Sequence, residues 1–299
     1  MVTAERARRI IETFGDAGRS WLAELPQLID EFARDWRLTV EPPFPMSYGY
    51  VAPAVRDDGS RVVLKLRVPD SEARDEIEAL RAYDGAGVVR LLAHDAARGA
   101  LLLERAEPGT MLASATDIDD ETKTRIAACL LRRLRREPPQ AYAFPALAGW
   151  ARALAAVRAR YDGATGPLPA PLFERAERVF AGELAAGEPP VLLHGDLHHE
   201  NILRAGREPW LAIDPHGVVG DRAYEPGAFL RNHLLALPQP RAALARRVEV
   251  FVEELGMERE RLVGWGIATN VLSACWSHMS HGDGWQDAVA VCEMLAEMA

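Results

Sequence analysis

The first hundred residues combine helical and strand patterns. Apolar residues recur at helical spacing through residues 5–37, which predicts one or two amphipathic helices around Pro26. Residues 48–55 and 61–68 are rich in β-branched side chains and alternate in polarity, and a turn-forming Asp-Asp-Gly-Ser sequence separates them. This arrangement predicts a β-hairpin with Lys65 on its second strand.

The pattern becomes helical again at residues 71–83, where apolar side chains recur every three to four positions and Asp70 or Ser71 can cap the first turn. Residues 88–95 and 100–104 have the pattern of two further short strands. The resulting order β-β-α-β-β predicts an α+β domain built on an antiparallel sheet.

An Ala-Glu-Pro-Gly sequence at 106–109 interrupts this pattern and is the predicted linker. Beyond it most of the chain has helical periodicity, and only short apolar runs predict strands. The predicted helices lie at residues 121–136, 149–161, 171–186 and 225–298, and the predicted strands at 191–193, 201–203 and 210–213. We therefore expect two lobes, residues 1–104 with a helical leader and the sheet, and residues 105–299, which are mostly helical.

Composition narrows the class of protein. With 48% hydrophobic and 26% charged residues, the chain of 299 residues has the composition of a soluble globular protein. No apolar stretch approaches the ~20 residues that a membrane span needs, and the N-terminus lacks the apolar core of a signal peptide. Three scattered cysteines (Cys129, Cys275 and Cys292) predict reduced thiols in a cytoplasmic protein rather than a disulfide or zinc framework.

The charge of the chain bears on its partners. A net charge of −9 argues against sequence-independent binding of nucleic acid, which needs a basic surface, and it suits either a cationic small-molecule partner or simple solubility. Of the 35 basic residues only two are lysines, Lys65 and Lys123. Because an ammonium group differs from a guanidinium in shape and reach, Lys65 on a predicted strand is a candidate functional residue.

The densest polar segment is His-Gly-Asp-Leu-His-His-Glu-Asn at 194–201, directly after the predicted strand at 191–193. Asp214 follows Asn201 by thirteen residues, after two short strand patterns that flank Gly206. A hairpin of these strands would bring the Asn201 amide oxygen beside the Asp214 carboxylate, with Asp196 on the neighbouring loop. Such hard oxygen ligands suit Mg²⁺ together with phosphate oxygens, and Asp196 could accept a proton from a hydroxyl.

The spacing of Asp196, Asn201 and Asp214 resembles the protein-kinase-like fold, in which an Asp base precedes a metal-binding Asn by five residues and a second metal-binding Asp follows a hairpin. His-Gly-Asp at 194–196 and Asp-Pro-His-Gly at 214–217 are similar to the aminoglycoside phosphotransferase superfamily rather than to protein kinases. The resemblance implies Asp196 as the catalytic base and the other two residues as ligands of Mg²⁺.

Three further segments, at 101–110, 213–215 and 221–226, resemble most the streptomycin 6-kinase branch of this superfamily, also described as aminoglycoside/hydroxyurea resistance kinases. This resemblance implies a bilobal protein-kinase-like α+β fold. It also implies transfer of the γ-phosphate of ATP to a hydroxyl of a small, cationic polyhydroxyl compound such as streptomycin.

The resemblance extends to nucleotide-binding residues. Lys65 stands where the family's lysine holds the α- and β-phosphates of ATP, and Glu76, or alternatively Glu78, fits its partner on the following helix. The Glu104 carbonyl and the Ala106 N–H fall at the hinge segment that would pair with adenine. The candidate phosphate loop is poor in glycine and contains Ser47.

Acceptor-binding residues are expected after Asp214 and in the C-terminal helices. The candidates share carboxylate, amide or aromatic side chains, which suit guanidinium and ammonium groups, although each could instead be a helix cap or a packing residue. They are Asp221, Glu225, Asn232, Trp276 and Asp283.

Other interpretations of the polar cluster remain open from the sequence. His194, Asp196 and His198 resemble a ligand segment of metal-dependent hydrolases, but such a site would leave Lys65 and Asn201 unexplained. A kinase fold that only binds its ligand is another possibility. Within the kinases, a fructosamine, a choline-like alcohol or homoserine could replace the aminoglycoside as acceptor.

Overall fold

The computed structural model describes residues 3–44, 49–182, 187–280 and 284–298. The chain divides into two compact units, Met1–Gly109 and Thr110–Ala299. This division falls close to the lobe boundary expected after residue 104. The two units are described separately below.

The first unit begins with one long kinked helix, α1 (Ala4–Asp35). The Thr3 side chain caps its start by accepting a hydrogen bond from Arg6 N–H. Gly15 breaks the helical geometry with φ of 58°, a value that glycine adopts without steric cost, whereas Pro26 is accommodated within the helix. The sequence predicts one or two helices around Pro26, and the structure has two helical segments that join at a kink at Gly15.

A five-stranded antiparallel sheet forms the centre of this unit, in the order β1-β2-β3-β5-β4. Its strands are β1 (Leu38–Val40), β2 (Tyr50–Arg56), β3 (Arg61–Leu66), β4 (Leu91–Asp95) and β5 (Ala100–Glu104). The predicted hairpin is present as β2 and β3, and the remaining two predicted strands are β4 and β5. The short β1 was not predicted from the sequence, because three residues carry too little alternation to be recognised.

Lys65 lies in the middle of this sheet on β3, opposite Val51 on one side and Leu101 on the other. The following helix, α2 (Ser71–Tyr83), has the predicted bounds. Asp70 caps its first turn by accepting a hydrogen bond from Ala73 N–H, and Asp84 ends it in the left-handed conformation. Local capping therefore determines where α2 begins and ends relative to Lys65.

The second unit is mostly helical. Its helices are α3 (Asp120–Leu134), α4 (Arg152–Arg160), α5 (Ala170–Phe180), α6 (Pro226–Arg231), α7 (Pro240–Leu255), α8 (Arg259–Ser280) and α9 (Gln286–Ala296). Among the described residues, the predicted helical stretch at 225–298 contains four separate α-helices, α6 to α9. Within the ranges that the structure describes, no helix is long and apolar enough to cross a membrane.

Two short antiparallel strand pairs carry the polar cluster. They are β6 (Val191–Leu193) with β9 (Val218–Gly220), and β7 (Ile202–Arg204) with β8 (Trp210–Ala212). The structure shows the predicted strand at 191–193 and the predicted hairpin that follows. Asn201 ends a short 3-10 helix, His199–Asn201, so β7 begins one residue later than expected. β9 was not predicted from the sequence.

Candidate active site

The polar cluster starts where β6 ends, and His194 fixes the backbone there. The His194 ring is fully buried; its Nε2 lies 2.9 Å from the Ile213 carbonyl oxygen and its Nδ1 lies 3.3 Å from Asp196 N. Since a carbonyl can only accept and an amide N–H can only donate, the proton is on Nε2. Burial lowers the pKa of His194 to about 4, which keeps this ring neutral. His194 is therefore a structural residue of the loop.

Glu225 holds the same loop from the opposite side. Its two carboxyl oxygens accept the backbone N–H groups of His194, at 2.5 Å, and Gly195, at 3.1 Å. Burial raises the pKa of Glu225 to about 7, although the two backbone hydrogen bonds act in the opposite direction. The residue is only 7% exposed. The structure therefore places Glu225, expected among the acceptor ligands, inside the protein as a clamp on the loop that carries Asp196.

Asp196 projects from this loop with 41% of its side chain exposed. Its Oδ2 lies 3.3 Å from His198 Nε2 and 4.0 Å from His216 Nε2. Burial alone would raise the pKa of Asp196, but the hydrogen bond from His198 and the nearby imidazoles outweigh burial and lower it. Asp196 is therefore an accessible carboxylate that is ionised at neutral pH and can accept a proton.

The hairpin of β7 and β8 brings Asn201 and Asp214 to the same end, because Ile213 N–H donates to the Asn201 carbonyl at 2.9 Å. The Asn201 side-chain nitrogen donates to the Asp196 carbonyl oxygen at 3.0 Å. That bond fixes the orientation of the amide and leaves its oxygen as a ligand atom. Asp214 has a left-handed backbone with φ of 59°, a conformation often found at functional sites. An amide oxygen and a carboxylate fit the preferences of Mg²⁺.

His198 lies between two carboxylates of the cluster. Its Nδ1 lies 2.8 Å from Glu200 Oε2 and its Nε2 lies 3.3 Å from Asp196 Oδ2. Burial would lower the pKa of His198, but the two carboxylates outweigh it and raise the pKa to about 9. His198 is therefore a cation at neutral pH, not a neutral metal ligand. In the described ranges, no three His, Cys, Asp or Glu side chains form a group that could hold a metal.

Aromatic residues surround Trp150, which packs beside the loop that carries Asp196. The Trp150 ring has centroid distances of 5.9 Å to His216, 5.6 Å to Tyr224 and 5.5 Å to Trp276, all edge-on. A Cβ atom at Gly195 would lie 3.2 Å from Trp150 Cη2, so the glycine allows this ring to pack on the loop. Trp276 is 41% exposed. Of the two tryptophans, the sequence made only Trp276 an acceptor candidate.

The remaining acceptor candidates have different surroundings. Asp221 caps a short 3-10 helix by accepting from Ala223 N–H at 2.9 Å, and it forms an ion pair of 2.6 Å with Arg261. Asn232 is the residue directly after α6, and its buried Oδ1 has no hydrogen-bond partner among the described residues. Asp283 lies outside the described residues. Asp221 thus has internal partners, whereas Asn232 has an unused acceptor atom.

In the first unit, Lys65 Nζ lies 2.6 Å from Glu76 Oε1, and both side chains are nearly buried. Arg67 also binds Glu76, at 3.0 Å. Glu78 instead pairs with Arg81 on the helix surface, so the structure favours Glu76 over Glu78 as the partner of Lys65.

The hinge candidates lie at the end of the sheet. Glu104 is the last residue of β5, and its side chain accepts a hydrogen bond from Arg90 N–H at 3.0 Å. Ala106 follows it in the connecting segment before the division between the two units. Ser47 lies outside the described residues.

Solved structures with similar folds belong to small-molecule kinases. A choline kinase from Streptococcus pneumoniae superimposes with a TM-score of 0.64 at 15% identity, over 92% of this chain and 99% of that one. An aminoglycoside phosphotransferase in complex with ADP and hygromycin B gives a TM-score of 0.60 at 12% identity, over 90% and 96% of the two chains. These similarities confirm the α+β protein-kinase-like fold.

Residues 37–281 match the sequence model of the aminoglycoside/hydroxyurea antibiotic resistance kinases, and the chain belongs to this family. It is 35% identical to the streptomycin 6-kinase of Streptomyces glaucescens, over 93% of this chain and 91% of that protein. It is 37% identical to the hydroxyurea phosphotransferase of Kitasatospora aureofaciens, over 88% and 76% of the two chains. The predicted small-molecule kinase, and with it the use of ATP, is therefore confirmed at the level of the family.

Proposed function

We propose that this chain transfers the γ-phosphate of Mg²⁺-bound ATP to a hydroxyl of an aminoglycoside such as streptomycin, as a cytoplasmic enzyme. The observation that carries the proposal is the arrangement around Asp196: an accessible, ionised carboxylate on a clamped loop, next to a hairpin that presents Asn201 and Asp214. The similarity to streptomycin 6-kinases supports the choice of acceptor.

In this mechanism, Asp196 orients the acceptor hydroxyl and takes up its proton as the oxygen attacks the γ-phosphorus. Asn201 and Asp214 would hold Mg²⁺, which when bound neutralises charge on the phosphates. Catalysis of phosphoryl transfer depends mainly on positioning and charge, so residues that fix the carboxylate matter as much as the carboxylate itself.

The nucleotide side of the proposal rests on the first unit. Lys65 would bind the α- and β-phosphates, and Glu76 would hold its ammonium group in place through their 2.6 Å contact. The backbone of Glu104 and Ala106 would pair with the adenine ring. Ser47 would contact the phosphates, as proposed from the resemblance alone.

Aromatic faces support a cationic acceptor. Trp150 packs on the loop of Asp196, and the exposed Trp276 packs on Trp150. A guanidinium or ammonium group binds well to such rings, particularly near a carboxylate. The guanidinium groups of streptomycin satisfy this requirement. The unpartnered Oδ1 of Asn232 offers a further acceptor for a donor group of the substrate.

Arg231 favours a second candidate acceptor. It ends α6, its buried Nε has no hydrogen-bond partner in the described part of the chain, and burial lowers its pKa despite the opposing charge of Asp196. A cation in this place would oppose a cationic substrate and would bind a carbonyl oxygen. Hydroxyurea, the acceptor in the name of a relative 37% identical to this chain, carries such an oxygen next to its hydroxyl.

A transfer assay tests the proposal. The purified protein is incubated with ATP and Mg²⁺ and with streptomycin, hydroxyurea or a related amino sugar, and the phosphorylated product is identified by mass spectrometry. We expect an acceptor-dependent release of ADP with streptomycin together with a product heavier by one phosphate. Transfer to hydroxyurea alone would support the second candidate, and the absence of transfer to either compound would contradict the proposal.

A further inference from the structure

Glu200 lies between two imidazole rings. Its Oε2 is 2.8 Å from Nδ1 of His198 on the proposed catalytic loop (residues 194–201), and its Oε1 is 2.5 Å from Nε2 of His233. Neither Glu200 nor His233 belongs to the residues expected to act on the nucleotide, the metal or the acceptor. The contact between them joins the catalytic loop to the segment that follows α6.

The His198 ring contacts Glu200 with one ring nitrogen and Asp196 with the other. While Nδ1 of His198 faces Glu200, its Nε2 lies 3.3 Å from Oδ2 of Asp196. Because the hydrogen bond from His198 makes Oδ2 the less basic of the two oxygens, Oδ1 is the oxygen of Asp196 that is better suited to receive the hydroxyl proton. The position of the His198 ring therefore selects the atom that acts as the base.

The fold fixes the position of His233, the residue that contacts Glu200 on the side opposite His198. His233 has a left-handed backbone with φ of 58°, which is uncommon for residues with a Cβ atom and is found mainly where the surroundings enforce it. The neighbouring His199 stacks on Phe229 of α6, with a centroid distance of 3.8 Å and an angle of 16° between the rings. The loop around Glu200 is thus held to α6 through His199 and to the segment after α6 through His233.

We propose that Glu200, held by His233, is a positioning residue that fixes the His198 ring and thereby presents Oδ1 of Asp196 to the acceptor hydroxyl. The inference rests on the proposed phosphotransferase function. In the step that it serves, the acceptor oxygen bonds to the γ-phosphorus and its proton passes to Oδ1. The bond from the γ-phosphorus to the β–γ bridging oxygen breaks, and ADP leaves.

Glu200→Gln tests the proposal, because glutamine keeps the size of the side chain and loses its charge. Glu188→Gln is a matched control: the Glu188 side chain is 34% exposed against 31% for Glu200, and it forms its own short contact of 2.7 Å with Arg222. Turnover is measured with streptomycin and also as hydrolysis of ATP without an acceptor. Urea unfolding of both variants shows whether the fold is retained.

We expect Glu200→Gln to lower kcat in both assays by roughly 10- to 100-fold, with KM for ATP unchanged within about twofold, since losing the support of a catalytic group has effects of this size. Glu188→Gln should retain the wild-type kcat. In a His198→Asn background, adding Glu200→Gln should have almost no further effect, because Glu200 acts through His198.

Two outcomes would overturn the proposal: equal kcat for the two glutamine variants, or an undiminished effect of Glu200→Gln when His198 is absent. The second would mean that Glu200 merely supports the fold. If the wild type hydrolyses ATP but phosphorylates neither streptomycin nor hydroxyurea, the proposed acceptors are wrong, and the hydrolysis rates still decide the role of Glu200.

Discussion

Replacing Glu225 by glutamine keeps the size of the side chain and removes its titration. The substitution also removes one of the two hydrogen bonds to the backbone of His194 and Gly195 at every pH, because the amide nitrogen cannot accept. In the wild type, burial raises the pKa of Glu225 from 4.5 to about 7. The folded protein therefore binds more protons at this residue than the unfolded chain between about pH 4.5 and pH 7. By linkage, the free energy of unfolding falls as the pH rises through this window.

The size of this effect follows from the shift. Each pKa unit corresponds to about 1.4 kcal/mol, so a shift from 4.5 to about 7 amounts to about 3 kcal/mol. A glutamine at this position does not titrate. The difference in free energy of unfolding, wild type minus Glu225→Gln, should therefore decrease by about 3 kcal/mol between pH 4.5 and pH 8, while the titration of other groups cancels in the difference.

Urea unfolding followed by tryptophan fluorescence at several pH values between 4.5 and 8 measures this difference. We expect the free energy of unfolding of the wild type, relative to that of the variant, to fall steadily as the pH rises. If the difference in free energy stays constant over this range, the buried carboxyl of Glu225 has an ordinary pKa, and the argument from its burial fails.

Three further substitutions test other parts of the structure. Arg247 is 1% exposed and donates hydrogen bonds to Asp120 at 2.6 and 2.9 Å. Arg247→Met should therefore lower the free energy of unfolding, measured with urea, by about 3–5 kcal/mol. A decrease below about 1 kcal/mol would be inconsistent with a buried ion pair. Lys65→Ala should raise KM for ATP at least about tenfold, because a contact between an ammonium group and a phosphate contributes over about 1.4 kcal/mol of binding free energy. An unchanged KM for ATP would refute a role of Lys65 in nucleotide binding. The pKa of His198 is raised to about 9, so its positive charge is present below that pH and is lost above it. The wild-type rate should therefore decline above about pH 9, and a His198→Asn variant with the same decline would assign it to another group.

The elements that were predicted correctly depend on neighbouring residues. The β2–β3 hairpin follows from its turn sequence, α2 from its cap at Asp70, and the β7–β8 hairpin from two apolar runs around Gly206. Asp196, Asn201 and Asp214 also lie close together in the sequence, around one hairpin, and for this reason their spacing indicated a site. Their functional roles stay predictions.

The features that were not predicted depend on contacts between distant segments. Glu225 binds His194 31 residues earlier, and His233 binds Glu200 across 33 residues, so neither pairing leaves a periodic signal in the sequence. The stretch at 225–298 could not be divided into helices, because α8 is buried on most of its surface and lacks a polar face. Trp150 also escaped notice, since a tryptophan near a helix start usually belongs to the core.

The central claim is that Asp196 is the base of a phosphotransferase. The rate at which the Asp196→Asn variant transfers the γ-phosphate of ATP to streptomycin tests this claim most directly. The variant keeps the size of the side chain and removes the proton acceptor. We predict a fall in kcat of roughly 10²- to 10⁴-fold, the usual contribution of a general base, with the affinity for Mg²⁺-bound ATP unchanged within about twofold. Phosphorylation of streptomycin by Asp196→Asn at a rate close to that of the wild type would contradict the account.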